Sequence, residues 1–142
     1  MDIVFILDTS NRVTQSDLEK QKEFVKLMAQ RFDVSPFASH AAVFSYGDKT
    51  ILIGGLYDHV RGKRFEDNVD SVTLLGGKRN IQEALKEATD YLAIFGRQNA
   101  SNVVFLITYG RQSPELGSQR LQEIVQNVRD TNAILYVIGV GV

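Results

Sequence analysis

Two stretches of five consecutive apolar residues, Ile3-Val4-Phe5-Ile6-Leu7 and Val103-Val104-Phe105-Leu106-Ile107, constrain this chain more than anything else in it. Each is short, continuous and rich in β-branched and aromatic residues, the pattern of a strand covered on both faces. Around them the spacing turns helical. Ser16-Asp17-Leu18-Glu19 reads as a capping box, and Leu18, Phe24, Val25, Leu27, Met28 and Phe32 follow at roughly helical spacing. A short charged helix is expected around Arg64–Val69. Asn80 can cap a helix reaching Tyr91-Leu92, and Leu121 to Val128 reads as another. Ala41 to Tyr46, the turn Gly47-Asp48-Lys49 and Thr50 to Ile53 form a hairpin pattern, and Ala133 to Gly139 a final strand.

Strands alternating with helices predict a three-layer, doubly wound α/β fold of Rossmann-like type, with a mostly parallel central sheet and one short antiparallel edge strand. Ligands of such sheets sit beyond the carboxyl ends of the strands. The loops that open at Asp8 and at Thr108 are therefore the candidate site. An aspartate closing a buried strand needs a partner, because an unpaired buried carboxylate is costly.

The remaining numbers mostly exclude. At 142 residues and 44% apolar content the chain predicts a single core, and a net charge of -1 gives no general attraction to nucleic acid or to an anionic membrane. With no cysteine there are no disulfides or thiolate metal sites. No apolar run approaches the roughly 18 residues that cross a bilayer. His40 begins a strand and His59 lies in a charged loop, so neither is expected beside Ser10 as a catalytic base. Asp8 has no second acid at the spacing of a phosphotransfer site, and Gly139-Val140-Gly141 lacks the rest of a dinucleotide fingerprint. Asn99-Ala100-Ser101 fits the glycosylation acceptor pattern, which leaves open whether it is used.

Four segments, in order, carry a resemblance. Asp2-Ile3-Val4-Phe5-Ile6-Leu7-Asp8-Thr9-Ser10, Leu75-Gly76-Gly77-Lys78-Arg79-Asn80-Ile81-Gln82-Glu83-Ala84-Leu85, Val104-Phe105-Leu106-Ile107-Thr108-Tyr109-Gly110-Arg111 and Ile138-Gly139-Val140-Gly141 are similar to the von Willebrand factor type A domain, of the kind found in collagen VI and matrilins. The resemblance implies a metal-ion-dependent adhesion site, in which an Asp-x-Ser-x-Ser loop, a threonine and an aspartate hold Mg²⁺ through hard oxygen ligands. Asp8 and Ser10 match that pattern. Arg12 stands for the second serine, Arg79 for the threonine and Tyr109 for the aspartate.

These exchanges remove one carboxylate and bring in two guanidinium groups, which predicts a vestigial site with no metal and no other cofactor. Three arrangements stay open: Arg12 or Arg79 pairs with Asp8 in place of the ion, both arginines face solvent and leave Asp8 to backbone amides and water, or Mg²⁺ still binds. The resemblance further implies a non-enzymatic protein-binding module of a secreted, extracellular matrix or cell-adhesion protein. Its expected partners are matrix proteins, collagen among them, and neighbouring domains of the same chain, with no nucleic acid and no membrane. A Mg²⁺-dependent adhesion domain and an architectural spacer in a tandem array are the alternatives. Residues 1–142 are expected to be one domain, lacking the family's C-terminal helix and excised from a multidomain protein. Arg61, Lys63 and Arg64, with Lys78, form a basic cluster expected at the site end as a partner contact, and Phe37 beside Pro36 is a candidate exposed anchor.

Overall fold

The computed structural model describes residues 1–111, 113 and 119–140. Its elements run β1 (Asp2–Asp8), α1 (Gln15–Arg31), β2 (His40–Tyr46), β3 (Thr50–Gly54), α2 (Phe65–Asp70), α3 (Ile81–Phe95), β4 (Asn102–Thr108), α4 (Gln119–Asp130) and β5 (Ile134–Gly139). The strands form one sheet in the order β3-β2-β1-β4-β5. Pairing is parallel throughout except for the β2–β3 hairpin. This is the predicted α/β architecture, with β3 as the short antiparallel edge.

Alternation along the central strand sorts the core into two layers. Ile3, Phe5 and Leu7 face one layer with Leu18, Val25 and Ala29 of α1 and Phe65 and Val69 of α2. Val4 and Ile6 face the other, with Ala84, Leu85, Ala88 and Leu92 of α3 and Val128 of α4. Every residue of β1 is buried, which explains its unbroken apolar run. Phe5 stacks on Phe105 with ring centroids 5.2 Å apart and meets Phe65 at 5.9 Å, so aromatic packing ties β1 to β4 and α2.

Several local expectations shift. The capping box is Thr14 with Asp17, because Thr14 takes the extended conformation from which its Oγ1 accepts the Asp17 N–H at 3.1 Å while Asp17 accepts the Thr14 N–H at 2.9 Å. Ser16 and Glu19 fall inside the helix instead. The Thr14 backbone N–H first, and then the Thr14 hydroxyl, hold the Asp17 carboxyl below its ordinary range. Leu27 is exposed, on the outer side of α1. At the far edge, β5 leaves Ile134, Tyr136 and Val137 about half exposed. No helix among the described residues is long and apolar enough to cross a membrane.

Candidate functional site

The carboxyl ends of β1 and β4 converge on Asp8, whose side chain is fully buried. Its backbone is clamped from α1. Gln21 accepts the Asp8 N–H at 2.8 Å through Oε1 and donates through Nε2 to the Asp8 carbonyl, also at 2.8 Å. Thr9 continues the ladder, donating both its N–H and its hydroxyl to the Tyr46 carbonyl. The chain then turns, and Ser10 donates its N–H at 3.0 Å and its hydroxyl at 2.6 Å to Asp8 Oδ1.

The second carboxylate oxygen points the other way. Asp8 Oδ2 accepts the Arg79 Nε–H at 2.8 Å and the Tyr109 backbone N–H at 2.8 Å. A carboxylate offers about four acceptor positions, and here each oxygen receives two donors. The Arg79 side chain is only 14% exposed against 0% for Asp8, so the ion pair lies beneath the surface. Two neighbours hold Arg79 in place: its N–H donates to Ser113 Oγ at 2.9 Å, and Nη1 reaches the Arg111 carbonyl at 3.4 Å. Gly110 leaves room for it: a Cβ there would lie 2.4 Å from Nη1, so the guanidinium would have to shift.

The glycine loop that delivers Arg79 is laced to the first loop. Gly76 and Gly77 both have left-handed backbone, with φ of 74° and 82°. Leu75 and Gly76 donate to the Thr9 carbonyl, Asn11 exchanges two hydrogen bonds with Gly77, and Lys78 N–H donates to Asp48. Around this centre, burial and then the Asp8 charge raise Tyr46, whose hydroxyl donates to the Ile107 carbonyl. Tyr109 is also raised, by burial first and then by Asp17 and Asp8, and its hydroxyl donates to the Asp17 carbonyl.

Of the residues singled out in the sequence, Asp8, Ser10, Arg79 and Tyr109 come together. Arg12 does not join them: it is exposed, with φ +72°, and all four donors to Asp8 come from elsewhere. The expected basic cluster is corrected. Lys78 sits in the glycine loop at the site end, whereas Arg61, Lys63 and Arg64 follow β3. Because β3 runs antiparallel to β2, it releases the chain where β2 begins, and His59 of that loop packs against His40 there. The basic residues are thus split between opposite ends of the sheet. Sequence reading missed Gln21, although its position between Leu18 and Val25 on the apolar stripe of α1 marked it as a buried polar residue with a task. Ser113 carried no such signal.

The profile of the von Willebrand factor type A domain matches residues 2–142. The chain belongs to that family. It is 28% identical over 140 residues to the human (Homo sapiens) collagen alpha-1(XXI) chain, covering 99% of this chain and 14% of that one. It is 31% identical over 123 residues to von Willebrand factor of Rattus norvegicus, covering 82% of this chain and 28% of that protein. Proximal thread matrix protein 1 from the mussel byssus superposes with a TM-score of 0.84 in one crystal form, at 18% identity, covering 99% of this chain and 38% of that one. A second structure of that protein, with a zinc-occupied adhesion-site motif, superposes at 0.81 with 25% identity, covering 99% and 36%. The chain thus spans a small part of the curated relatives it matches. Domains of this family in matrix and adhesion proteins are non-enzymatic interaction modules, and that is the class of this chain. Among the described residues, no group of three or more His, Cys, Asp or Glu side chains is placed to hold a metal ion.

Proposed function

We propose that this type A domain is a protein-binding module of a secreted matrix or adhesion protein, one domain of a longer chain, and that it engages matrix partners such as collagens without a divalent ion. One observation carries the metal-independent part: the Arg79 guanidinium lies 2.8 Å from Asp8 Oδ2, placing a fixed positive charge on the carboxylate. The remaining donor set fits an ion poorly. Ser10 Oγ, which donates to Asp8, is the one side-chain hydroxyl at hand, the Tyr109 phenol points to Asp17, and Arg12 supplies no oxygen donor. At an effective dielectric constant of about 20, a charge 4 Å from Arg79 is repelled by roughly 4 kcal/mol per unit charge, which doubles for a divalent ion.

In this reading Arg79 does permanently what a bound cation does reversibly, neutralising Asp8 and holding three loops in one arrangement. Recognition then uses the outer surfaces of those loops, where Arg12 and Lys78 are exposed. Arg61, Lys63 and Arg64 form a separate exposed patch at the opposite end.

Thermal unfolding with and without Mg²⁺ or Mn²⁺ tests the reading. A ligand at 100 times its dissociation constant stabilises by about 2.7 kcal/mol, so an ion-binding site would show plainly. The wild-type midpoint is expected not to move, and the variant Arg12→Ser/Arg79→Thr/Tyr109→Asp is expected to gain a rise with Mn²⁺. A wild-type midpoint that climbs with Mn²⁺ and falls with chelator would overturn the proposal.

A further inference from the structure

The turn between α3 and β4 carries a side chain with no structural task. Arg97 to Ala100 closes through the Ala100 N–H on the Arg97 carbonyl at 3.2 Å, and both ends of the segment are tied to Asp2. Arg97 Nε donates to Asp2 Oδ1 at 2.7 Å, and the Asp2 N–H donates to the Ser101 carbonyl at 2.8 Å. Asn99, between these anchors, is exposed. An asparagine in a turn commonly folds its amide onto nearby backbone. Others in this chain are committed to partners: Asn11 accepts the Gly77 N–H, Asn80 accepts the Glu83 N–H at the start of α3, and Asn68 donates to Asp58. Among the described residues, the Asn99 amide and the Ser101 hydroxyl have no hydrogen-bond partner.

Those two side chains stand at the spacing of a glycan acceptor. Asn99-Ala100-Ser101 puts a hydroxyl residue two positions after the amide, and neither Ala100 nor the following Asn102 is a proline. No other asparagine of the chain has serine or threonine at that spacing. Ser101 is exposed as well. Beside Asn99, Met1, Arg97, Gln98 and Ala100 border a hollow of about 420 Å³, so a first sugar has room without displacing the turn.

We propose that Asn99 is an N-linked glycosylation site, which rests on this chain entering the secretory pathway, as the proposed function requires. Asn99 Nδ2 bonds to the anomeric carbon of a lipid pyrophosphate-linked oligosaccharide. The bond from that carbon to the pyrophosphate breaks, and the lipid pyrophosphate leaves with the electron pair. One amide proton passes to a base of the transferase, and nothing is oxidised or reduced. The acceptor precedes β4, which runs parallel to β1, so it stands at the amino end of the sheet while Asp8 closes the other. Seven strand residues put about 20 Å between those ends. Arg97 Nη1 also donates to the Ala38 carbonyl at 3.1 Å, which sets the Phe37 loop beside the acceptor turn, and Phe37 is 98% exposed. A bulky, hydrated glycan on Asn99 therefore covers the end that carries Phe37 and leaves the Asp8 end open to partners.

The test is expression of the chain in eukaryotic cells behind a cleavable secretion signal. Loss of the signal proves entry, and mass spectrometry of the peptide holding Asn99 reads occupancy in both cells and medium. Most wild-type copies are expected to carry an oligosaccharide, released by peptide N-glycosidase with conversion of that asparagine to aspartate. Asn99→Gln and Ser101→Ala are each expected to abolish it, and Ser101→Thr, which keeps a hydroxyl, to preserve it. Because both positions are exposed, circular dichroism melts of these variants should match the deglycosylated wild type. Chain that is glycosylated yet retained inside the cell supports the site and counts against the secreted reading alone. An unmodified Asn99 on chains that have lost the signal would overturn the site and leave the protein-binding reading standing.

Discussion

Replacing Arg79→Met takes one donor and one positive charge from a carboxylate that has no access to water. Breaking a buried pair from one side costs about 3–5 kcal/mol, mostly because the abandoned charge stays buried. Asp8 keeps its two bonds from Ser10 and the Tyr109 N–H, and Arg79 retains 14% exposure, so the lower limit applies, about 3 kcal/mol. At about 2–4 °C per kcal/mol for a domain somewhat larger than this one, the melting point should drop by about 10 °C. The pairwise part is isolated by a cycle of Arg79→Met, Asp8→Ala and the double variant under urea denaturation. A coupling of about 2 kcal/mol that barely changes between 0.1 and 1 M NaCl is expected, since bulk ions screen a buried pair poorly. Lys86 with Asp90, at 64% and 55% exposure, is the internal control, with a small coupling that salt erodes. A coupling at the Asp8 pair no larger than at that control would refute the view that Arg79 substitutes for a cation.

Two further substitutions probe the frame around the pair. Gln21→Leu fits the apolar stripe of α1 but strands the Asp8 N–H and carbonyl in the core, so urea unfolding should show a loss of about 3 kcal/mol despite the gain in hydrophobicity. Gly47→Ala would drive a Cβ into the Gly76 carbonyl, a backbone atom fixed by the loop lacing, and the expected cost is again about 3 kcal/mol; Gly62→Ala has open space and a strained φ of 97°, and circular dichroism melts should show a clearly smaller effect.

The legible part of this molecule was the part governed by periodicity. Ile3–Leu7 and Val103–Ile107 could be read as doubly covered strands because burial on both faces leaves no polar position in them, and the hairpin at Gly47-Asp48-Lys49 followed from turn chemistry. Contacts between polar residues far apart in sequence were harder. That an arginine would meet Asp8 was one of several open arrangements. Which one depended on Arg79 being carried in by a loop with two left-handed glycines, while Arg12 takes positive φ itself and is turned outward. The histidines illustrate the same gap. His40 and His59 are separated by a hairpin and a loop, and only the antiparallel return of β3 brings them into ring contact. The supposed basic cluster failed for that reason too, because strand direction decided at which end each charge emerged.

Strand direction also gives the two arginine pairs a common logic. β1 begins and ends with a buried aspartate. Asp8 at its carboxyl end binds Arg79, and Asp2 at its amino end binds Arg97, whose Nε lies 2.7 Å away. Those two arginines flank α3, one just before Ile81 and the other just after Phe95. Seven strand residues span about 20 Å between the aspartates, and fifteen helical residues span about 22 Å, so the helix and the strand it covers have matched lengths. Both pairs can therefore close only in one register of α3 along β1. Apolar packing of Ala84, Leu85 and Ala88 on Val4 and Ile6 would tolerate a slide by a turn, since hydrophobic contact is non-directional. A guanidinium set on a buried carboxylate at each end would not. The first pair thus holds the site loops and, with the second, fixes the helix that carries Arg79, which ties the geometry of the Asp8 site to the placement of one layer of the fold.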